Sequence, residues 1–186
     1  MRVIAGSSGG IRLTVPKSGV RPTMDRVKAA IFSSLGERVS GARVLDLFAG
    51  SGALGIEALS RGAAAVTFVE NDRQAIRAIE QNLARTGLSA RISSRNVFDF
   101  LNQSGDSVRY DLIFADPPYD ETKAGESFPR LLLENPRLPF CLTSKGLFVL
   151  EKRPGEELAN LLYWQLVRRK TYGATETVFL QPKATK

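Results

Sequence analysis

Asp46-Leu47-Phe48-Ala49-Gly50-Ser51-Gly52-Ala53-Leu54-Gly55 is the stretch on which the fold turns. Ala42–Phe48 is an apolar, β-prone run, Ala53–Arg61 has the composition of a helix stopped by Gly62, and Gly50, Gly52 and Gly55 between them fit G-x-G-x-x-G. A glycine turn from strand into helix lets bare backbone approach a ligand and points the first helix amides at its polar groups. The next strand, Ala64–Glu70, ends in a carboxylate 20 residues past Gly50, positioned to accept both hydroxyls of an adenosine ribose. NAD and S-adenosylmethionine (SAM) sites share this geometry. Asp46, four residues before Gly50, favours SAM, because the methionine ammonium gives that acid a cation to neutralise whereas a pyrophosphate would be repelled by it.

Strands and helices alternate outward from this unit. Asp72–Thr86 reads as a helix with Ile76, Ile79 and Leu83 facing inward and Gly87 as its stop. Arg91–Ser94, Asp111–Ala115 and Gly146–Glu151 read as strands, and Trp164–Lys170 with Thr175–Leu180 as a strand pair around Tyr172-Gly173-Ala174. Upstream, a helix runs from about Met24 to Glu37, with Thr23 as N-cap, Asp25 in its first turn, and Val27, Ile31 and Leu35 on one face. Arg2–Ala5 and Ile11–Val15 flank Gly6-Ser7-Ser8-Gly9-Gly10 and read as a hairpin. The pattern is an α/β sheet with helices on both faces and one antiparallel strand at the end.

The chemistry resides in Asp111-Leu112-Ile113-Phe114-Ala115-Asp116-Pro117-Pro118-Tyr119. An apolar strand delivers Asp-Pro-Pro-Tyr at its C-terminal end, where open α/β sheets bind ligands. Two prolines stiffen the exit and donate no N–H, which leaves the Asp116 and Pro117 carbonyls free to accept. The lone pair of an exocyclic amine on a nucleobase is delocalised into the ring. Accepting both its hydrogens, through the Asp116 carboxylate and the Pro117 carbonyl, localises that pair and aims it at the SAM methyl, while Tyr119 stacks on the base.

The chain of 186 residues is 43% hydrophobic and 24% charged, the composition of one soluble globular domain. With no histidine and one cysteine, it assembles neither a His/Cys zinc site nor a Ser-His or Cys-His nucleophile. Cys141 follows Phe140 in an apolar stretch and reads as core, and a reducing, cytoplasmic setting is expected. No apolar run approaches the roughly 20 residues of a membrane span. The net charge is +7, distributed as +6 over residues 1–43, −2 over 44–149 and +3 over 150–186. A basic N-terminal end beside a slightly acidic centre points to a polyanion grip formed by Arg2, Arg12, Lys17, Arg21 and Arg26. Arg168-Arg169-Lys170 reads equally as an RNA contact or as a charged edge strand.

Asp-Pro-Pro-Tyr after a SAM-type glycine loop resembles the amino-methyltransferases of DNA, RNA and protein glutamine. Three blocks narrow the likeness: Arg21-Pro22-Thr23-Met24-Asp25-Arg26-Val27-Lys28 before Phe32, the Asp46–Gly55 stretch, and Glu57-Ala58-Leu59-Ser60-Arg61-Gly62-Ala63. In this order, behind the Met1–Gly10 hairpin, they are similar to the RsmD family, which methylates guanine N2 in bacterial 16S ribosomal RNA. The resemblance implies a Class I SAM-dependent methyltransferase (Rossmann-like) fold with a seven-stranded sheet. It also implies SAM as donor, S-adenosylhomocysteine (SAH) as product, and ribosomal RNA in the small ribosomal subunit or its assembly intermediate as partner. By the same likeness Asn96 and Val97 lie at the adenine, and a monomer is expected.

The expected site is thus Asp116, Pro117, Pro118 and Tyr119 for catalysis, with Asp46, Phe48, Gly50, Gly52, Glu70, Asn71, Asn96 and Val97 around the cofactor. Residues 1–20 are expected to form a hairpin extension that contacts RNA and residues 21–186 the methyltransferase domain. Removing Met1–Pro16 then either spares the fold and weakens RNA binding or, where the hairpin completes the domain, unfolds it. Amino-methylation of another acceptor such as DNA adenine N6 or protein glutamine, an NAD-dependent oxidoreductase and a non-catalytic RNA-binding protein are the competing readings.

Overall fold

The computed structural model describes residues 1–16, 25–103, 108–119, 125–158 and 161–183. Seven strands, β1 (Arg43–Leu47), β2 (Ala65–Val69), β3 (Arg91–Ser93), β4 (Tyr110–Ala115), β5 (Leu142–Lys152), β6 (Trp164–Tyr172) and β7 (Thr175–Pro182), form one sheet in the order β3-β2-β1-β4-β5-β7-β6. The first five are mutually parallel, and β7 runs antiparallel between β5 and β6. Strand order reverses between β1 and β4, and their C-terminal ends open the crevice where such sheets hold ligands.

Alternation along the strands divides the core in two. Val44, Val66, Phe68, Leu112, Phe114, Val149 and Phe179 face α1 (Asp25–Leu35), α2 (Ala53–Ser60) and α3 (Arg73–Thr86), joined by Val3 and Leu13 from the N-terminal arm. Leu45, Leu47, Ile113, Ala115, Phe148 and Leu150 face α4 (Val97–Gln103), α5 (Phe128–Glu134) and the Trp164 ring. The α/β reading with helices on both faces holds. Cys141 sits buried in a 3-10 turn, Pro139–Cys141, as core.

Several elements depart from the sequence reading. The first helix, whose expected cap Thr23 lies outside the described residues, ends at Leu35 and passes into a 3-10 turn, Gly36–Val39. On α3 the buried line is Ala75, Ala78, Ile79, Asn82 and Leu83, and Ile76 is half-buried at its margin. Asp72 caps this helix by accepting from Gln74 N–H at 2.9 Å and Ala75 N–H at 2.8 Å. Helices α4 and α5, of seven residues each, had no periodic signal to announce them. Strand β5 begins at Leu142, because Leu142 pairs with Tyr110 ahead of a register shift.

The arm is a minimal hairpin. Its one bridge sets Arg2 opposite Arg12, with Val3 N–H donating to Ile11 O at 2.9 Å and Gly10 N–H to Val3 O at 2.9 Å. It is bonded into the body. Ile4 and Ala5 N–H donate to the Glu57 carboxylate at 2.7 and 3.1 Å, and Ser8 N–H to Ser60 Oγ at 3.0 Å. Gly6 lies so close to α2 that a Cβ there would meet Ser60 O at 1.8 Å. Glu57 also pairs with Lys28 at 3.3 Å, both side chains fully buried, and with Arg61 at 2.7 Å. Burial pulls the Lys28 ammonium below its usual range, with Glu57 opposing the shift. Cutting the chain after Pro16 removes Val3 and Leu13 from the core and strips Glu57 of its backbone donors. The hairpin shares its core with the helices, and truncation is expected to unfold the protein.

Candidate active site

Asp46 is 2% exposed, turned under the glycine loop toward α2, where its carboxylate accepts Gly55 N–H at 2.9 Å. Burial raises this carboxyl well above its usual value; the Gly55 bond opposes the shift, and the charges of Asp116 and Glu70 add to it. The third glycine of the motif serves packing, since a Cβ on Gly55 would stand 2.3 Å from the Phe68 ring. In the loop Phe48 adopts φ 54°, a left-handed conformation that a bulky side chain rarely takes. Its ring is gripped edge-on by Phe128 at 5.5 Å and Phe98 at 6.4 Å, which themselves stack at 6.4 Å.

Glu70 lies where expected, at the exit of β2, and its carboxylate ties two loops together. Its Oε2 accepts Gly50 N–H at 2.8 Å, while Oε1 accepts Asn71 N–H at 2.8 Å and Asp72 N–H at 2.9 Å. Asn71 is exposed beside it. Asn96 caps α4 by accepting Phe98 N–H at 2.8 Å, and the Val97 side chain is 3% exposed in the second core cluster. A ligand here would meet the α4 amino end through backbone, not through the Val97 side chain.

The Asp-Pro-Pro-Tyr segment leaves β4 directly beside β1, where Leu47 pairs with Ala115, so Asp116 emerges next to Phe48. Pro117 is buried, Pro118 exposed, and Asp116 and Tyr119 half-buried. The Tyr119 hydroxyl donates to Ala174 O at 3.3 Å and lies 3.1 Å from Thr175 Oγ1. The Arg153 guanidinium sits 5.3 Å over its ring. The two hydroxyl contacts anchor the ring to the β6–β7 turn, an anchorage that no local signal foretold.

Asn82 was also missed. Fully buried on α3, its amide donates to Ser51 O in the glycine loop at 2.9 Å and to Thr14 O in the arm at 2.9 Å. Arg2, Arg12 and Arg26 are exposed around the arm and α1, and Lys17 and Arg21 lie outside the described residues. Arg2 stands 3.9 Å from Asp25. Among the described residues no cluster of histidine, cysteine, aspartate or glutamate suits a metal, and no helix is long and apolar enough to cross a membrane.

A glycine loop over a buried acid, a strand-end carboxylate on the neighbouring strand and an Asp-Pro-Pro-Tyr exit, set on this strand order, define the Class I methyltransferase fold. The family model described as conserved hypothetical protein 95 matches residues 1–181, and the chain belongs to that family, the RsmD family. Relatives named ribosomal RNA small subunit methyltransferase D are 37% identical in Haemophilus influenzae and 38% in Escherichia coli. Each alignment spans 93% of this chain, and 89% and 85% of the respective relative. A solved hypothetical protein of Thermus thermophilus superposes with a TM-score of 0.81 at 32% identity, covering 97% of this chain and 99% of that one.

Proposed function

We propose that this protein transfers a methyl group from SAM to the exocyclic N2 amine of a guanine in small-subunit (16S) ribosomal RNA. The observation that supports the reading is the adjacency of two strand ends, Asp46 with the glycine loop on β1 and Asp116-Pro117 on β4, which puts the proposed donor and acceptor residues side by side. The names of the relatives support ribosomal RNA as the acceptor class.

The residues fit SAM. A buried acid whose ionisation is suppressed by burial gains from a cation, which the methionyl ammonium supplies, and Glu70 offers its carboxylate at the strand end for ribose hydroxyls. The Asn71 region and the α4 amino end with Asn96 and Val97 flank the adenine side, and Phe48, Gly50 and Gly52 form the loop beneath. When bound, SAM supplies an electrophilic methyl group on a sulfonium.

This chain's residues perform the rest. The Asp116 carboxylate and the Pro117 carbonyl accept the two N2 hydrogens, which localises the nitrogen lone pair in line for transfer. Pro118 stiffens the exit, and Tyr119, held by its hydroxyl, stacks on the base and fixes its plane. As the nitrogen gains the methyl it sheds one proton, and Asp116 is the group placed to take it. A guanine reaches this pocket only when unpaired or flipped, so the grip on the RNA comes from elsewhere. Arg2 and Arg12 are bridge partners in the arm and both are exposed, which puts two cations on one surface open to a polyanion. With Arg26, and with Lys17 and Arg21 in the neighbouring stretch, they form the proposed contact of the N-terminal segment. The protein is taken to act in the cytoplasm as a monomer, on ribosomal RNA in the small subunit or its assembly intermediate.

Small-subunit RNA from a strain deleted for the gene, incubated with protein and SAM and mapped by mass spectrometry, tests the reading. One new N2-methylguanine is expected; methylation confined to another position such as adenine N6, or none on either this RNA or small subunits from that strain, overturns it.

A further inference from the structure

Strand β6 closes the sheet at one edge, and Gln165 through Thr171 are all exposed. It runs parallel to β5, so its C-terminal end rises at the same end of the sheet as the β4 exit. Pairing across the sheet sets Phe114, Val149, Phe179 and Arg168 in one row. Two residues further along the strands, Glu151, Thr177 and Lys170 form the row that Asp116 heads as it leaves β4. Residues paired in a row share a face, so Arg168 and Lys170 project on the side of Asp116. Three interstrand steps of about 4.8 Å place them about 14 Å from the acceptor segment.

The charges on this edge are unequal in their surroundings. Arg169, on the opposite face, lies 3.7 Å from Glu176, which also pairs with buried Lys152 at 2.9 Å. Among the described residues neither Arg168 nor Lys170 has an ion-pair partner. The turn after them is tied to the site, because Tyr119 bonds Ala174 and Thr175 while exposed Arg153 lies over its ring.

We infer that Arg153, Arg168 and Lys170 form a second phosphate-binding track, along which the RNA flanking the target nucleotide leaves the pocket across the β6 edge. This rests on RNA as the acceptor. The track lies on the Tyr119 side of the site and acts apart from the N-terminal arm. Three exposed cations beside a base-stacking ring match a polyanion in which each base is followed by a phosphate. Edge protection by itself needs charge of either sign, whereas an RNA track needs positive charge.

That difference supplies the test. The doubly substituted R168E/K170E protein keeps a charged edge, so it is expected to fold, to remain in the wild-type oligomeric state and to bind SAH with wild-type affinity by calorimetry. Its affinity for a small-subunit ribosomal RNA transcript should fall about tenfold or more near 0.1 M salt, and the slope of log affinity against log salt should flatten by about 1.4 to 1.8. R168Q/K170Q should give a smaller loss in the same direction. Unchanged affinity and slope in a folded variant overturn the track, as does a changed oligomeric state with RNA binding intact, which would make the edge a contact between copies. A wild-type protein that neither binds nor methylates the transcript or small subunits from a strain deleted for the gene overturns the RNA reading, and the track with it.

Discussion

Thr14 and Asn82 hold each other reciprocally: Thr14 N–H donates to Asn82 Oδ1 at 2.7 Å, and Asn82 Nδ2 donates back to Thr14 O at 2.9 Å. The same amide nitrogen donates to Ser51 O, so one buried side chain joins the arm to the glycine loop. Both amide hydrogens are thereby used. Asn82→Ala leaves three backbone groups without their partner, each costing about 1–3 kcal/mol where water does not replace it. The variant should melt well below wild type and bind SAH more weakly, as read by thermal denaturation and calorimetry; wild-type values for both would refute the account.

Asp46 yields a pH prediction. Its folded-state ionisation is displaced upward from the unfolded value of about 3.9, so its contribution to stability is complete below that pH and is lost as pH rises through the displaced value. Asp46→Asn removes the charge and retains an acceptor for Gly55 N–H. Without ligand, the variant should be more stable than wild type at neutral pH and should lose this part of the pH dependence. With the ammonium unneutralised, its SAM affinity should fall. Melting curves across pH, with and without SAM, measure both; an Asn variant less stable than wild type at pH 7 would contradict the burial argument.

Glu70 serves the loops as well as the proposed ribose, so its substitutions separate the two roles. Glu70→Gln retains one acceptor oxygen for the loop amides and loses the charge, and should weaken SAM binding at roughly 1.5–3 kcal/mol per lost charged hydrogen bond. Glu70→Ala should weaken it further and loosen the Gly50 and Asn71 amides. Calorimetry decides, and tight NAD binding without SAM binding would overturn the cofactor assignment.

At the proposed acceptor site, Asp116→Ala should abolish methyl transfer while leaving SAM affinity within a few-fold. Tyr119→Ala should cost roughly 1–3 kcal/mol in base positioning. Tyr119→Phe keeps the ring but forfeits the bonds to Ala174 and Thr175, so it should recover only part of that loss. Single-turnover methylation of the RNA distinguishes these outcomes, and wild-type turnover by Asp116→Ala would exclude the mechanism.

Most of the strands and the first three helices were legible because their signals are local. An apolar run followed by Gly50, Gly52 and Gly55, or by Asp116-Pro117-Pro118-Tyr119, specifies a turn and its exposed groups within ten residues. Helices α4 and α5 were not legible, since seven residues span two turns and are held by the sheet they cover.

By itself the sequence determined the α/β class, the glycine loop, the strand-end acids Asp46 and Glu70, and the Asp-Pro-Pro-Tyr exit. Only the tertiary structure decided how these are held. Thr14 meets Asn82 across 68 residues, Ile4 meets Glu57 across 53, and Tyr119 meets Thr175 across 56. It likewise decided that the arm is part of the core, and that Arg168 and Lys170 share a sheet face with Asp116. The reason is physical: a buried polar side chain must satisfy its hydrogen bonds with whatever backbone folding brings alongside, and no spacing along the chain encodes that partner.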